Sequence, residues 1–247
     1  MPRTIKLITY EGAKSPIVEA YKTLRTNIQF SFPDGNLKVL LITSSGPAEG
    51  KSTTAVNLAI TMAEADMKVL LIDADLRKPA QHRTFGISNT KGLTNALVEN
   101  GDYKQLVQSP GIKGMDILTS GPKPPNPSEL LGSEKMKHLL DSLKEDYDLI
   151  ILDTPPVLPV TDAAVLSSLA DGVVLVAAHG QATYDALYQA KASLEKVNAK
   201  IIGILLNRVP VSSHGGYYYY YYYDDQGNKH KSKRTPKVQR SGGDSSD

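Results

Sequence analysis

Six short runs of Val, Ile and Leu, separated by stretches with a helical period, constrain this 247-residue chain more than any other feature. The runs are "LKVLLIT", "KVLLID", "MDILTS", "DLIILD", "GVVLVAA" and "KIIGILLN". Each is nearly continuous rather than alternating, which is how strands buried on both faces of a sheet read. Between them Met136, Leu139, Leu140 and Leu143 recur at the helical period, as do Leu187, Ala190, Leu194 and Val197. Strand and helix in alternation predict an α/β fold, a mostly parallel sheet flanked by helices. The pattern holds from about Leu37 to Val209, so a core domain is expected over residues 37–210, with extensions at 1–36 and 211–247.

The first run leads into "SSGPAEGKSTTAVNLA", where Gly50, Lys51 and Ser52 supply the G-K-[ST] end of the P-loop pattern G-x-x-x-x-G-K-[ST], with Ser45 at the place of its first glycine and Gly46 beside it. The match lies between a buried strand and a helix beginning near Ser52, which is the context the motif requires. Backbone N–H groups of Gly46, Glu49, Gly50, Lys51, Ser52 and Thr53 are expected to face phosphate, at the loop and the helix N-terminus. Lys51 supplies a cation at the β and γ positions of ATP, and the Ser52 hydroxyl can ligate Mg²⁺.

Two further runs end in acids: "VLLIDADLRKP" carries Asp73 and Asp75, and "DLIILDTPP" carries Asp153. Ligands of open parallel sheets bind outside the carboxyl ends of the strands, so these carboxylates are expected on the side of the P-loop. Acids after apolar runs are costly to bury unless paired or bound to a metal, and Mg²⁺ beside a triphosphate relieves that cost. For Asp75 a second reading stands, a cap or a pair with Arg77. The last run ends "GILLNRVP", where Asn207 can offer an amide to a purine and Arg208 can lie against its ring; a turn with an exposed cation reads equally well.

Outside the core, residues 16–30 predict a helix with Pro16 in its first turn and Ile17, Tyr21, Leu24 and Ile28 as its apolar stripe. Glu19, Lys22 and Arg25 fall about 130° from that stripe, at ~100° per residue. After Pro210 the hydrophobic pattern stops. The tail is Gly, Ser, charge and seven consecutive tyrosines, and its composition predicts disorder. No cysteine is present, which excludes a disulfide scaffold, a thiolate metal site and a cysteine nucleophile. The five histidines lack ligand spacing, so no transition metal is expected. A net charge of +2 gives no argument for nucleic acid. No window approaches a membrane span, so membrane association is expected to come through a partner.

A P-loop with "LLIDADLR" and "IILDTPP" behind it resembles the Walker A, A′ and B motifs of the bacterial tyrosine kinases of capsule and exopolysaccharide systems. The resemblance covers almost the whole chain, including "SPIVEAYKTLRTNIQF" and the tyrosine cluster. It implies an ATP-dependent kinase with Lys51 on the phosphates, Ser52, Asp75 and Asp153 on Mg²⁺ directly or through water, and Asp73 accepting the tyrosine proton. Arg77, in the A′ motif, is grouped with Asp73 and Lys51 as catalytic. The implied substrates are the chain's own Tyr217, Tyr218, Tyr219, Tyr220, Tyr221, Tyr222 and Tyr223, phosphorylated in trans, and other proteins. The family's Glu-x-x-Arg-x-x-Arg motif packs subunits into a ring, an octamer by resemblance; it is matched by Glu19, Lys22 and Arg25, with lysine in the middle. In Gram-positive members the kinase is a separate cytoplasmic chain, held at the inner face of the membrane by a transmembrane activator and opposed by a phosphotyrosine phosphatase.

Two other functions fit parts of the pattern. The partitioning ATPases of the ParA/MinD type share the fold, but carry a signature lysine where this chain has Gly46. A nucleotide-binding scaffold of a polysaccharide-assembly complex would use the same site with catalysis secondary.

Overall fold

The structure is a computed structural model and describes residues 7–8, 15–99 and 102–210. The tail with Tyr217–Tyr223 therefore lies outside the described residues. The chain divides into two units, Met1–Val209 and Pro210–Asp247.

The six apolar runs form strands β1 (Val39–Ser44), β2 (Val69–Asp73), β3 (Met115–Leu118), β4 (Leu149–Asp153), β5 (Gly172–Ala178) and β6 (Ile201–Asn207). They make one parallel sheet in the order β3-β2-β4-β1-β5-β6. Helices α1 (Pro16–Phe30) and α2 (Lys51–Ala63) cover one face. Helices α4 (Leu93–Val98), α5 (Pro127–Leu131), α6 (Glu134–Asp146), α7 (Asp162–Ser167) and α8 (Tyr184–Glu195) cover the other, and the short α3 (Gln81–Phe85) follows β2. Each face has its own apolar layer, so β1, β2, β4 and β5 are buried throughout, as continuous apolar runs require.

Strand β6 departs from that expectation. It is an edge strand, and Ile204 and Leu206 are about half exposed. Two helical stripes hold in part. Met136, Leu139, Leu140 and Leu143 of α6 are all buried. In α8 Ala190 and Leu194 are buried and Leu187 packs partly against them, while Val197 lies beyond the helix end.

Helix α1 spans the expected residues but is turned from the expected stripe. Val18 and Ile28 are buried, Tyr21 and Leu24 pack partly against the core, and Ile17 stands 48% exposed. Part of the reason is polar. The Arg25 Nη1 donates to the Thr61 carbonyl oxygen in the last turn of α2 (2.9 Å), where a cation also meets the negative end of the helix dipole. Asn57 of α2 approaches the Tyr21 hydroxyl and accepts from the Ile8 N–H (3.0 Å). Arg25 thus packs inward, while Glu19 and Lys22 pair with each other at 2.7 Å.

Candidate active site

Strand order decides which groups meet. β4 lies between β1 and β2, and the registers Ile42↔Asp153 and Asp73↔Asp153 bring the ends of the three strands together. The P-loop after β1 therefore faces Asp153 directly, with Asp73 beside it and Asp75 two residues further on.

The loop holds a fixed shape. Glu49 is buried, and its Oε1 accepts from the Gly46 N–H (2.7 Å) and the Ser45 hydroxyl (2.6 Å). Gly50 caps α2 at φ 102°, a left-handed backbone that disfavours any side chain. A Cβ there would meet the Asn207 Nδ2 at 2.0 Å, so both space and conformation call for glycine.

Asn207 and Arg208 stand against the loop rather than apart from it. The Asn207 Nδ2 donates to the Glu49 carbonyl oxygen (3.0 Å), and its Oδ1 accepts from the Arg208 N–H (2.9 Å). The Arg208 Nη1 donates to Gln181 Oε1 (3.1 Å), and the Gln181 Nε2 donates to the Pro47 carbonyl oxygen (2.8 Å). The end of β6 thus buttresses the P-loop from outside. Thr53 is half buried in the first turn of α2.

Lys51 reaches back over its own helix. Its Nζ donates to Asp75 Oδ2 (2.9 Å) and Ser52 Oγ (3.2 Å), and lies 3.5 Å from Asp153 Oδ1. The Ser52 hydroxyl donates to the same Asp153 oxygen (3.1 Å). Burial works against the lysine charge, but Asp153 and Asp75 more than offset it and hold its pKa above the ordinary value. An ammonium thus stands among three oxygens, which is where a small cation belongs. Among the described residues no three acids or histidines close a metal cage by themselves. Mg²⁺ beside a phosphate takes one or two carboxylates and keeps several waters, and Asp75 and Asp153 present two such carboxylates next to the Ser52 hydroxyl.

Asp73 is fully buried, and its two oxygens differ. Oδ2 accepts from the Ala80 and Gln81 N–H groups (2.9 Å each), whereas Oδ1 has no partner. Burial, with Asp153 alongside, pushes its pKa up to about 7 against those bonds and Lys51. Burial raises Asp153 as well, against Lys51. A carboxyl whose folded pKa is raised favours folding below its unfolded value of about 4, and that contribution is lost as pH rises through about 7. The nucleotide-free protein is therefore expected to gain thermal stability as pH falls from about 8 to about 6. Asp73→Asn, which fixes the neutral form, should flatten that slope in melts across the same range.

Arg77 points away from this cluster. Its Nε and Nη2 fork onto the two oxygens of Asp162 at the start of α7 (2.9 Å each), and Nη2 also donates to Ser128 Oγ of α5 (3.1 Å). The Ser128 hydroxyl donates to Asp162 Oδ1 (2.5 Å). Burial opposes the Asp162 charge, but the bonds from Arg77 and Ser128 prevail and hold its carboxyl below the ordinary range. Asp75 does not pair with Arg77; it takes Lys51 on one oxygen and the Lys78 N–H on the other (2.9 Å).

Two functional positions escaped the sequence reading. Asp162 opens a helix in "TDAAVL", a signal compatible with an ordinary first-turn acid. Gln81, in "KPAQH", carries no motif; yet it is fully buried, and its Nε2 donates to Asp153 Oδ2 at 2.7 Å.

A P-loop at the switch in strand order of a parallel sheet, with carboxylates on the adjoining strand ends, defines an α/β P-loop protein of the kind that binds nucleotide and Mg²⁺. The AAA domain family AAA_31 matches residues 37–205. The chain is 47% identical to the tyrosine-protein kinase YwqD of Bacillus subtilis over 84% of its own length and 88% of that protein. The crystal structure of the chimerical protein CapA2B2 superposes with a TM-score of 0.79 at 43% identity, covering 83% of this chain and 90% of that one. The kinase domain of the Escherichia coli tyrosine kinase ETK gives a TM-score of 0.80 at 36% identity, covering 86% and 84%. The chain belongs to the family of bacterial tyrosine-protein kinases, and it is an enzyme.

Proposed function

We propose that this kinase transfers the γ-phosphoryl group of ATP to the tyrosines of its own tail, Tyr217–Tyr223, on a neighbouring subunit, and that the tail's phosphorylation state regulates capsule or exopolysaccharide synthesis. The observation that carries this reading is the gathering of Lys51, Ser52, Asp75 and Asp153 around one cation position. With nucleotide bound, Lys51 would serve the phosphates, and Ser52, Asp75 and Asp153 would hold Mg²⁺ directly or through water. The metal supplies charge neutralisation on the β and γ phosphates.

The chain's own part is orientation and proton transfer. The tyrosine oxygen forms a bond to the γ phosphorus as the bond to the β,γ-bridging oxygen breaks and ADP departs. A phenol has a pKa of about 10, so its proton must leave as the phosphoryl group arrives. Asp73 takes it. The two backbone N–H groups on Oδ2 fix the carboxylate, its unpartnered Oδ1 is the accepting atom, and a pKa of about 7 suits a base working near neutrality. Arg77, held on Asp162, positions the β2–α3 connection rather than the phosphates.

The ring packs through the exposed side of α1, where Glu19 and Lys22 pair, with Arg25 tying that helix to the P-loop helix. Among the described residues no helix is long and apolar enough to cross a membrane. In this reading a transmembrane activator holds the kinase at the inner face of the membrane, and a phosphatase resets the tail. The test is incubation with ATP and Mg²⁺, with and without the activator's cytoplasmic segment, followed by phosphotyrosine detection. Phosphotyrosine that persists in Lys51→Met would refute the reading.

A further inference from the structure

Beyond the P-loop and its acids, one buried side chain touches Asp153 and the backbone of Ser52 and has no role in the mechanism above. Gln81 is the first residue of α3 and is fully buried. Its backbone N–H holds Asp73, and its Nε2 donates to Asp153 Oδ2 (2.7 Å) and approaches the Ser52 carbonyl oxygen (3.5 Å). Its Oε1 is buried and has no partner. The amide orientation follows from its neighbour. Lys51 and Ser52 both point at Asp153 Oδ1, which leaves Oδ2 to the amide, and the amide nitrogen is the atom that faces it. A buried amide oxygen without a donor carries a desolvation cost, and such atoms in a folded protein call for a reason.

We infer that Gln81 is a positioning residue of the Mg²⁺ shell, fixing Asp153 through its amide nitrogen and offering its amide oxygen to a metal-bound water. The inference rests on the nucleotide–metal reading above and deepens it. Mg²⁺ bound through one or two carboxylates beside a phosphate keeps several waters, and each water has protons to give. Gln81 Oε1 is the neutral acceptor beside Asp153 that nothing else uses. Its nitrogen meanwhile keeps Asp153 Oδ2 occupied, so that Oδ1 is the oxygen released to the metal when Lys51 leaves. Outer-shell groups of this kind set metal affinity by about 10- to 100-fold.

The experiment compares the full chain with Gln81→Leu and Gln81→Met, which remove the amide and keep an apolar side chain of similar bulk. Binding of a fluorescent ADP analogue is titrated in EDTA and across Mg²⁺ concentrations, with a thermal melt to confirm folding. The expected result is an unchanged affinity in EDTA and an Mg²⁺ half-saturation raised about 10-fold or more in either folded variant. A wild-type Mg²⁺ response in a folded variant, or an equal loss with and without Mg²⁺, would overturn the assignment. If the wild-type chain bound the analogue no more tightly with Mg²⁺, the nucleotide–metal reading itself would fail, which separates the two ideas.

Discussion

Lys51→Met is expected to abolish phosphotransfer and, in the same protein, to strengthen the response of the empty site to Mg²⁺. The first effect follows from the cation the P-loop lysine supplies to the phosphates. The second follows from where its ammonium rests, among Asp75 Oδ2, Asp153 Oδ1 and Ser52 Oγ. Removing one partner of a buried ion pair costs about 3–5 kcal/mol, because the other charge stays buried. Asp153 is fully buried, so it recovers part of that cost by taking up a proton and part by binding a metal. Without nucleotide or Mg²⁺, the variant should melt about 10 °C below the wild-type protein, at the 2–4 °C per kcal/mol usual for this size. Millimolar Mg²⁺ should return several degrees to the variant and little to the wild type. An equal Mg²⁺ response in both proteins would mean that the lysine does not hold the metal's place.

Arg77→Ala is expected to lower stability more than it lowers nucleotide binding. Its guanidinium is the paired cation of Asp162, whose side chain is fully buried while that of Arg77 is 36% exposed. The bidentate bond joins the β2–α3 connection to α7, and Ser128 brings in α5. Losing it leaves a buried carboxylate with only the Ser128 hydroxyl and its own backbone N–H as donors, a cost of about 2–4 kcal/mol. Asp162→Ala removes that stranded charge, so Arg77→Ala/Asp162→Ala should be clearly more stable than the sum of the single changes predicts. A double-mutant cycle read by denaturant unfolding measures the difference. If Arg77→Ala left the melt unchanged but removed phosphotransfer, the arginine would belong with the phosphates, as the sequence motif alone suggests.

The parts of this site that the sequence made legible are the local ones. The P-loop is a short contiguous stretch from the end of a strand into the first turn of a helix, and "SGPAEGKS" supplies it without help from the rest of the chain. Helix α1 was equally clear in extent, because Pro16 and the apolar spacing mark its start and length. Its rotation was not, since Arg25 faces inward for the sake of a carbonyl 36 residues away. The role of Arg77 was hidden for the same reason: its partner lies 85 residues further along the chain. Strand order is also non-local, and only that order shows why Asp153 rather than Asp75 shares an oxygen with Ser52 and Lys51. Gln81 left no trace in the sequence, because a single amide has no spacing to recognise.

The central claim is that this site phosphorylates the chain's own tyrosine cluster. The most direct measurement follows phosphate release, phosphotyrosine and its position by mass spectrometry. It uses the full chain with ATP, Mg²⁺ and the activator's cytoplasmic segment. The account predicts phosphate on residues within Tyr217–Tyr223, absent in Lys51→Met and strongly reduced in Asp73→Asn. Steady ATP consumption with those tyrosines left unmodified would contradict it and favour a nucleotide switch.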